Sequence, residues 1–349
     1  RIKFIMAYTT INKSTDYFET KLYVANATQR DITGFNFNPD WVWIHNRIQS
    51  VNSMLFDKVR GATKQIHTNN NGAENTDTQA LNAFISNGFS LGTGWTNTAS
   101  GNNYVSWNWS AGNSSGSSNT DGSITSTVSV NNTSKMSIVK YTGNGSDQTV
   151  GHGLGVVPSM IIVKCLTTAH DWVVYHQGMG NAKAIAFNNY NNEYSATAWQ
   201  SYTPTNQVFY IKGGANSVSQ SGDFIAYCFA DVSGYQKCGT YTGNGNADGT
   251  FVYTGFKPAM MFFKRTTGAV ANWQMWDNKR DPDNPVENAY HIDSNDADGS
   301  PDQDIDFLSN GFKILSNQGH LNASGVKFIY YAVAEAPLVG SNNVPCTAR

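Results

Sequence analysis

The residues of this 349-residue sequence that could do chemistry begin with a recurring acid–base pair. Asp57 and Arg60 stand in "FDKVR", and Asp277 and Arg280 stand in "WDNKR", each pair following an aromatic residue. A carboxylate and a guanidinium at this spacing can brace a turn, which contributes about 0–1 kcal/mol when the pair is exposed. A catalytic aspartate is the alternative interpretation. It would need partner groups that this motif does not supply.

An acidic segment closer to the C-terminus offers oxygen ligands for a metal ion. Carboxylates in a loop that contains Gly and Pro can wrap calcium, although the spacing here does not match the EF-hand loop. A solvated acidic loop is the alternative. We therefore predict no obligatory cofactor and keep calcium as an option, which chelator-dependent melting would test. The segment is "HIDSNDADGSPDQDID", and its aspartates are Asp293, Asp296, Asp298, Asp302, Asp304 and Asp306.

Hydrolysis of a polysaccharide would need two carboxyl groups about 5–10 Å apart. Acidic residues outside the aspartate-rich segment are scarce, and the candidate members of such a pair do not recur together along the chain. We predict that the protein is not an enzyme and assign no catalytic residue. The candidates considered are Glu74, Asp171, Glu193 and Asp223.

Aromatic residues in polar surroundings provide the strongest argument for binding. Sugar rings present C–H faces that stack on Trp and Tyr, while neighbouring Asn, Ser and Gln can bond to their hydroxyls. The stretches "GTGWTNTASGNN" and "NNYNNEYSATAWQSYTPTNQ" have this composition. The alternative is that these rings fill the cores of domains. The predicted ligand-binding residues are Trp95, Tyr190, Tyr194, Trp199 and Tyr202.

The composition excludes several classes of partner. Only 14% of the residues are charged and the formal net charge is −2, so the sequence has no basic patch for nucleic acid. Its apolar runs, such as "PSMIIVKC", are far shorter than the ~20 residues that span a membrane. The four cysteines have no metal-site spacing, which predicts neither zinc nor a disulfide framework. Two of them, Cys165 and Cys228, lie in apolar runs and are predicted to be buried.

The elements that must position these residues are repeated along the chain. "KYTGNG" at 140–145 returns as "TYTGNG" at 240–245, and each is followed by a prolyl block, "PSMIIVKC" and then "PAMMFFKR". The first third of the chain contains diverged versions of the same blocks, "KLYVANATQ" and "PDWVWIHNR". Apolar blocks of this length bounded by Gly, Pro and Asn are typical of strands. We predict a turn at each Tyr-Thr-Gly-Asn-Gly with a residue at positive φ, and a Pro at the first position of three strands.

This pattern predicts an all-β protein with three tandem β-sandwich, jelly-roll-like repeats of about 100 residues. The "SITSTVSV" stretch within the predicted linker has the alternation of an edge strand. The predicted organisation is an N-terminal extension at 1–19, repeats at 20–112, 138–233 and 238–339, a Gly/Ser/Thr-rich linker at 113–137 and a C-terminal tail at 340–349.

Four longer stretches resemble a family of tailed-phage virion proteins. They are "MAYTTINKSTDYFETKLY", "PDWVWIHNR…FDKVRGATK", "VGHGLGVVPSMIIVK…DWVVYH" and "YTGFKPAMMFFKR…IDFLSNGFK". Members are abundant in marine phages and are described as tail-fibre or receptor-binding proteins with β-sandwich repeats. The resemblance covers nearly the whole chain from Met6, so we expect the residues before Met6 to be an extension, or Met6 to be the natural first residue.

The resemblance implies a virion protein that is assembled in the bacterial host cytoplasm and contacts other virion proteins. Because tail fibres generally work as oligomers, we expect a homo-oligomer, with a trimer favoured. The expected function is non-enzymatic recognition of a host-surface glycan by a virion-surface or tail-fibre protein. The alternative is a purely structural component such as a decoration or spacer protein. A polysaccharide depolymerase is the third candidate.

Overall fold

A computed structural model describes residues 9–98, 101–196, 198–299, 304–340 and 346 of the chain. It is 43% strand and 3% helix, which confirms the predicted all-β fold class. Within the described residues, no helix is long and apolar enough to cross a membrane. The helical elements are a 3₁₀ turn at Ser14–Asp16, α1 at Asn216–Ser219 and α2 at Gly319–Asn322.

The first third of the chain forms two antiparallel sheets that face each other. The larger sheet has the strand order β1-β9-β3-β4-β5-β6, and the smaller has the order β2-β8-β7. Their facing sides enclose one hydrophobic core. The strands are β1 Phe18–Val24, β2 Arg30–Thr33, β3 Trp41–Asn46, β4 Met54–Asp57, β5 Lys64–His67, β6 Asn75–Thr76, β7 Leu81–Ile85, β8 Gly88–Leu91 and β9 Asn103–Trp109.

The middle third forms a second sandwich. Its larger sheet has the order β10-β11-β12-β19-β14-β15-β16-β17, and β13 pairs with β18 in the smaller one. A separate core lies between them. The strands are β10 Ser117–Asn119, β11 Ser126–Asn131, β12 Met136–Gly143, β13 Gln148–Gly151, β14 Met160–Cys165, β15 Val173–His176, β16 Lys183–Ala186, β17 Tyr194–Ser195, β18 Val208–Ile211 and β19 Gly222–Phe229.

The last third forms a third sandwich around a third core. Its larger sheet has the order β20-β27-β22-β23-β24, and its smaller sheet has the order β21-β26-β25. The strands are β20 Gln236–Thr242, β21 Phe251–Tyr253, β22 Phe256–Arg265, β23 Gln274–Asp277, β24 Tyr290–His291, β25 Ile305–Leu308, β26 Gly311–Ile314 and β27 Lys327–Pro337.

The same strand order occurs in all three sandwiches. The orders β1-β9-β3-β4-β5, β12-β19-β14-β15-β16 and β20-β27-β22-β23-β24 correspond strand for strand, as do the pairs β2-β8, β13-β18 and β21-β26. Their registers let individual residues be equated: Trp43 pairs with Trp107, Ile162 with Tyr227 and Phe262 with Tyr331. The predicted residue limits of the repeats stay a prediction.

The segment predicted as a linker at 113–137 contains strands. β10 pairs with β11, and β11 pairs along its whole length with β12, so the segment extends the larger sheet of the second sandwich. Val128 and Val130 alternate with hydroxyl residues in "STVSVN", which suits a half-buried strand, and this tertiary pairing outweighs the flexibility suggested by the Gly/Ser content. The edge position belongs to β10 rather than to the predicted "SITSTVSV" strand.

The position of proline also differs from the prediction. Pro39 and Pro158 lie two residues before β3 and β14, and Pro258 is the third residue of β22. The strand can continue through Pro258 because the pairing with β27 shifts there, which leaves no regular ladder bond for the missing N–H group.

The three larger sheets pack against one another around a fourth hydrophobic core. One face of each sheet covers its own smaller sheet, and the other face contributes to this shared core, which contains residues from all three sandwiches. Trp41, for example, packs on Tyr227 with ring centroids 5.0 Å apart, and Phe229 packs on Tyr331 at the same separation. Central strands buried on both faces are mostly apolar, which explains the long apolar runs in the prolyl blocks.

Polar contacts between equivalent positions close the three sandwiches into a ring. The last residues of β4, β15 and β23 are Asp57, His176 and Asp277. Each contacts the next sandwich, so the contacts run from the first to the second, from the second to the third and from the third to the first. They join Asp57 Oδ2 to Tyr227 Oη at 2.8 Å, His176 Nε2 to Tyr330 O at 3.1 Å and Asp277 Oδ2 to Trp107 Nε1 at 3.0 Å.

The partner atoms explain why the middle sandwich has His where the others have Asp. Tyr227 and Trp107 donate hydrogen bonds, which a carboxylate accepts. The Tyr330 carbonyl is itself an acceptor and requires a donor, which the imidazole Nε2–H supplies. His176 Nδ1 then accepts from the main-chain N–H of Gly178 at 3.0 Å, so the ring is held as a neutral tautomer.

The three cysteines inside the sandwiches are buried, and all four are free thiols. The predicted burial of Cys165 and Cys228 is confirmed, since both lie in the core of the second sandwich. Burial raises the pKa of the Cys228 thiol to about 12, which makes it an unreactive core residue.

Candidate functional site

The structure separates the five aromatic residues predicted to bind a ligand. The side chains of Trp95 and Tyr190 are 59% and 55% exposed, and those of Tyr194 and Tyr202 are also exposed. Trp199 is only 2% exposed. Four of the predicted rings can therefore be reached by a ligand, and Trp199 cannot.

Trp199 belongs to the core of the second sandwich, so its assignment to a binding surface is wrong. Its ring packs edge-on against Tyr175 with centroids 5.9 Å apart, and its neighbour Ala198 is buried with it. The polar residues that surround Trp199 in the sequence concealed this burial.

Trp95 lines a cavity at the junction between the first and third sandwiches, which we call the Trp95 cavity. Its volume is 380 Å³, within the size range of ligand pockets. Most of the lining comes from β4, β5 and the loop before β4, and one residue comes from the third sandwich. The lining residues are Ser50, Val51, Asn52, Met54, Gln65, His67, Trp95 and Asn295.

The exposed Trp95 ring stands on a fixed backbone. Tyr104 donates its hydroxyl hydrogen bond to the carbonyl of Trp95 at 2.9 Å, and Tyr23 donates to the carbonyl of Thr96 at 2.8 Å. The Tyr23 and Tyr104 rings stack with centroids 5.2 Å apart and planes 7° apart. The backbone that carries the exposed Trp95 ring is thus held in place before any ligand arrives, which lowers the entropic cost of ordering this loop on binding.

Asn97, two residues after Trp95, completes this support. Its side-chain amide is fully buried and donates to the carbonyls of Thr28 at 2.6 Å and Gly92 at 3.1 Å. It also accepts from the main-chain N–H of Asn26 at 3.1 Å. The loop that carries Trp95 is therefore tied to the segment after β1 at several points.

The repeated Tyr-Thr-Gly-Asn-Gly motif provides the same support in the other sandwiches. The predicted positive φ is confirmed at Gly145 and Gly245, and Ala27 adopts it at the matching place in the first sandwich. The motif tyrosines donate to equivalent carbonyls, and Asn322 repeats the bonding of Asn97. The stacked pairs are Tyr23 with Tyr104, Tyr141 with Phe224 and Tyr241 with Phe328.

Polar groups on the floor of the Trp95 cavity are available for hydrogen bonding. Gln65 is 5% exposed, and its Oε1 has no hydrogen-bond partner among the described residues. His67 Nδ1 donates to the carbonyl of Ser53 at 3.1 Å, so its Nε2 is the acceptor in the neutral ring. Burial lowers the pKa of His67, which favours this neutral form. The floor therefore presents acceptors to donor groups such as hydroxyls.

A second cavity lies at the junction between the third and second sandwiches, which we call the Tyr190 cavity. Its volume is 320 Å³. Tyr190 comes from the second sandwich, and the other lining residues come from β23, β24, the loop before β23 and α2. They are Val270, Ala271, Asn272, Gln274, His291 and His320.

The two cavities occupy equivalent places in the ring. Met54 pairs with His67 as Gln274 pairs with His291, so these residues match. His320 matches Trp95, because each precedes the residue whose carbonyl accepts the hydrogen bond from the motif tyrosine. Tyr190 matches Asn295, since each lies four residues after an equivalent position of β16 or β24.

A buried lysine or histidine side chain occupies one equivalent position at each of the three junctions. Lys164 Nζ donates to the carbonyl of Asn71 in the first sandwich at 3.2 Å, and Lys264 Nζ donates to that of Tyr190 in the second at 2.9 Å. At the matching position of the first sandwich, His45 Nε2 lies 3.4 Å from Asp298 of the third. Burial lowers the pKa of Lys164 to about 8. These groups fix the walls of the junctions.

The two acid–base pairs are buried rather than exposed. Asp57 and Arg60 brace a turn, as the simpler interpretation expected, and Arg60 also reaches Glu74 at 3.1 Å. Arg280 Nε lies 2.5 Å from Asp277, and its Nη1 lies 2.9 Å from Asp298. All the bonds of these carboxylates lead to structural groups, so we assign both pairs to ring assembly.

The aspartates of the acidic segment face different partners. Burial disfavours the ionised form of Asp298, but its ion pairs with Arg280 and Arg47 outweigh this effect and hold the pKa of the carboxyl well below its usual range. Asp293 accepts from the main-chain N–H of Trp273 at 3.1 Å, and burial raises its pKa. These two carboxylates are therefore engaged separately rather than gathered around one point.

The predicted calcium site receives no direct support from this arrangement. Asp302 lies outside the described residues. Among the residues that the structure describes, no group of three or more His, Cys, Asp or Glu side chains could hold a metal. Calcium binding by the acidic segment stays a prediction.

The other acidic candidates have separate neighbours. Glu74 binds Arg60, and Asp223 forms an exposed ion pair with Lys140 at 3.0 Å. Asp171 accepts from the side-chain amide of Asn188 at 2.9 Å. None of these carboxylates lines the Trp95 or Tyr190 cavity.

Sequence reasoning missed most of the lining residues. A signal for two of them exists, because His67 in "KQIHT" and His291 in "NAYHID" are the last residues of equivalent short strands. Asn295 lies in the same cavity as Trp95 only because the third sandwich packs against the first, and a single sequence contains no signal for that packing. Of the predicted rings outside the two cavities, Tyr202 packs on Tyr210 with centroids 4.9 Å apart, and Tyr194 lies on β17.

Comparison with known proteins gives one finding. A family model described as Domain of unknown function (DUF7483) matches residues 13–337, which include all three sandwiches. No curated protein and no solved structure matches the chain.

Proposed function

We propose that this chain, which belongs to the family Domain of unknown function (DUF7483), binds a saccharide at the Trp95 cavity without cleaving it. The family description assigns no activity, so the proposal depends on the chemistry of the site. The resemblance to tailed-phage virion proteins supplies the setting. We propose a virion-surface or tail-fibre protein that recognises a host-surface glycan and contacts other virion proteins.

The observation that carries the proposal is the exposed Trp95 ring, carried on an anchored backbone beside the polar groups of the cavity floor. A sugar presents an apolar C–H face and a rim of hydroxyl groups. Trp95 offers a stacking surface for that face, while Gln65 Oε1 and His67 Nε2 offer acceptors to the hydroxyls. Asn52 and Asn295 add side-chain amides from opposite walls. This combination of one aromatic platform and several convergent polar groups suits a neutral saccharide.

Binding without cleavage fits the lining better than hydrolysis does. Glycoside hydrolysis generally needs two carboxyl groups on either side of the scissile bond. Among the residues that the structure describes, those that line the Trp95 cavity include no carboxylate. A polysaccharide depolymerase therefore stays the third candidate.

A purely structural role is the main alternative, and the ring closure favours it. Three sandwiches that share one core form a unit suited to a decoration or spacer protein. The ring also bears on assembly, because it buries within one chain the apolar faces that could have packed a trimer side by side. The homo-oligomer, with a trimer favoured, stays a proposal supported by the resemblance alone.

Replacing Trp95 by alanine is expected to weaken binding to host cells and to extracted surface polysaccharide by roughly 5- to 150-fold. This range corresponds to the ~1–3 kcal/mol that one aromatic stacking contact contributes when bases are bound. The measurement is a binding isotherm of the purified chain. Because Trp95 is exposed, we expect the melting temperature to change little.

Phe251→Ala is the matched control, since Phe251 is an exposed ring on β21 that does not line either cavity. Its affinity should equal that of the wild type. Absence of binding by the wild type would support the structural alternative, and release of oligosaccharides would support the depolymerase. Equal binding by wild type and Trp95→Ala would contradict the choice of site.

A further inference from the structure

We infer that the Tyr190 cavity is a second saccharide-binding site, independent of the first. It has the same place in the ring as the Trp95 cavity, and equivalent strands form its floor. The inference rests on the proposed function and extends it, because it assigns the same class of ligand to a different set of residues.

Both cavities combine one exposed aromatic residue with several polar side chains, but the aromatic residue comes from the opposite wall in the second cavity. In the Trp95 cavity the aromatic ring comes from the sandwich that forms the floor, and an amide, Asn295, comes from the neighbour. In the Tyr190 cavity the neighbour supplies the aromatic ring, and the floor supplies an imidazole, His320. A sugar would therefore stack against the opposite wall, so we expect the two cavities to select different saccharides.

Unpaired polar atoms indicate that the second cavity can bind a polar ligand. Gln274 is 2% exposed, and its Oε1 has no hydrogen-bond partner among the described residues. His320 Nε2 is likewise buried without a partner in the described part of the chain. A buried polar atom left unpaired is unfavourable, and a hydrogen bond with a ligand hydroxyl or a water molecule would remove this cost.

The backbone of Tyr190 is anchored, as is that of Trp95 in the first cavity. The carbonyl of Tyr190 accepts from the buried Nζ of Lys264 at 2.9 Å and from the main-chain N–H of Ala271 at 3.2 Å. Asn272 donates to His291 Nδ1 at 3.1 Å, which orients the imidazole on the floor. The ring of Tyr190 itself remains 55% exposed.

The third junction, between the second and first sandwiches, has no aromatic residue at either of the positions that match Trp95 and Tyr190. There the residues that match Trp95 and Tyr190 are Ser217 and Asn71. Because the two aromatic cavities occupy equivalent places in the ring, we expect them to open at the same end of it. A surface glycan that meets this end can engage both, which would strengthen attachment through multivalency.

The test compares wild type, Trp95→Ala, Tyr190→Ala and the double variant against short oligosaccharides of glucose, galactose, mannose and N-acetylglucosamine. Ligand-observed NMR or calorimetry measures binding, and a melting curve checks the fold of each variant. At least one oligosaccharide should lose about 5- to 150-fold in affinity with Tyr190→Ala and keep its affinity with Trp95→Ala. Tyr190→Phe retains the stacking ring and should bind that oligosaccharide within a few fold of wild type.

Other outcomes separate this inference from the proposed function. If Trp95→Ala alone abolishes binding of every oligosaccharide and Tyr190→Ala affects none, the second site is refuted and the first stands. If Tyr190→Ala alone abolishes binding, the second site stands and the first is refuted. If wild type binds no member of the set, both assignments are refuted for these sugars.

Discussion

Replacing Arg280 by methionine is expected to lower the free energy of unfolding by about 3–5 kcal/mol. The Arg280 side chain is fully buried and bridges Asp277 and Asp298, and it also donates to the carbonyl of Met275 at 3.1 Å. Burial alone would lower the pKa of Arg280, but the two carboxylates more than offset this effect and raise it. Removing the guanidinium would take away the positive charge that Asp277 and Asp298 share, and would leave two carboxylates partly unpaired at a junction between sandwiches.

Urea unfolding of wild type and variants measures this effect. Lys212→Met is the control, because it removes only an exposed ion pair with Asp147 and should leave the free energy of unfolding close to that of the wild type. Adding Asp277→Asn to Arg280→Met should restore part of the stability, since much of the cost comes from the unpaired charge. An Arg280→Met variant as stable as the Lys212→Met control would show that the buried pair does not hold the ring together.

Trp199→Ala should also cost about 3–5 kcal/mol, because it opens a large cavity in the core of the second sandwich. Saccharide affinity should stay within a few fold of wild type under conditions where the variant is folded. Trp199→Phe is the matched control. It fills most of the same volume, and the Trp199 Nε1 it removes has no hydrogen-bond partner among the described residues.

Trp199→Ala and Trp95→Ala are therefore expected to have opposite effects. The first should lower stability with little change in affinity, and the second should lower affinity with little change in stability. A stable Trp199→Ala variant with weakened binding would return Trp199 to the binding surface and contradict its place in the core.

Local sequence patterns predicted the strands because strand formation follows the alternation and length of apolar blocks. The Tyr-Thr-Gly-Asn-Gly turns could also be predicted from the sequence, since Gly145 and Gly245 supply the positive φ that these turns require. The match between "KLYVANATQ" and these motifs is supported by the equivalent stacking of Tyr23 and Tyr241. In each case the signal lies within a few residues.

Features that depend on packing between the sandwiches had no such signal. The burial of Asp57 and Asp277 follows from contacts with Tyr227 and Trp107, each 170 residues away in the sequence. Trp199 was misassigned because its polar neighbours resemble those of Trp95. The alternation of apolar and polar residues along a strand does not indicate which of its faces a second domain will cover.

The exposure of Trp95 provides the most direct test of the central claim. The chain contains nine tryptophans, all within the described residues, and the other eight are at most 2% exposed. Quenching of tryptophan fluorescence by acrylamide should therefore detect one accessible ring in the wild type. We expect that a saturating oligosaccharide or host polysaccharide will protect this ring and leave Trp95→Ala fluorescence unchanged. Saccharide binding that leaves the accessible fraction of wild-type fluorescence unaltered would show that the ligand does not lie on Trp95, and would contradict the account.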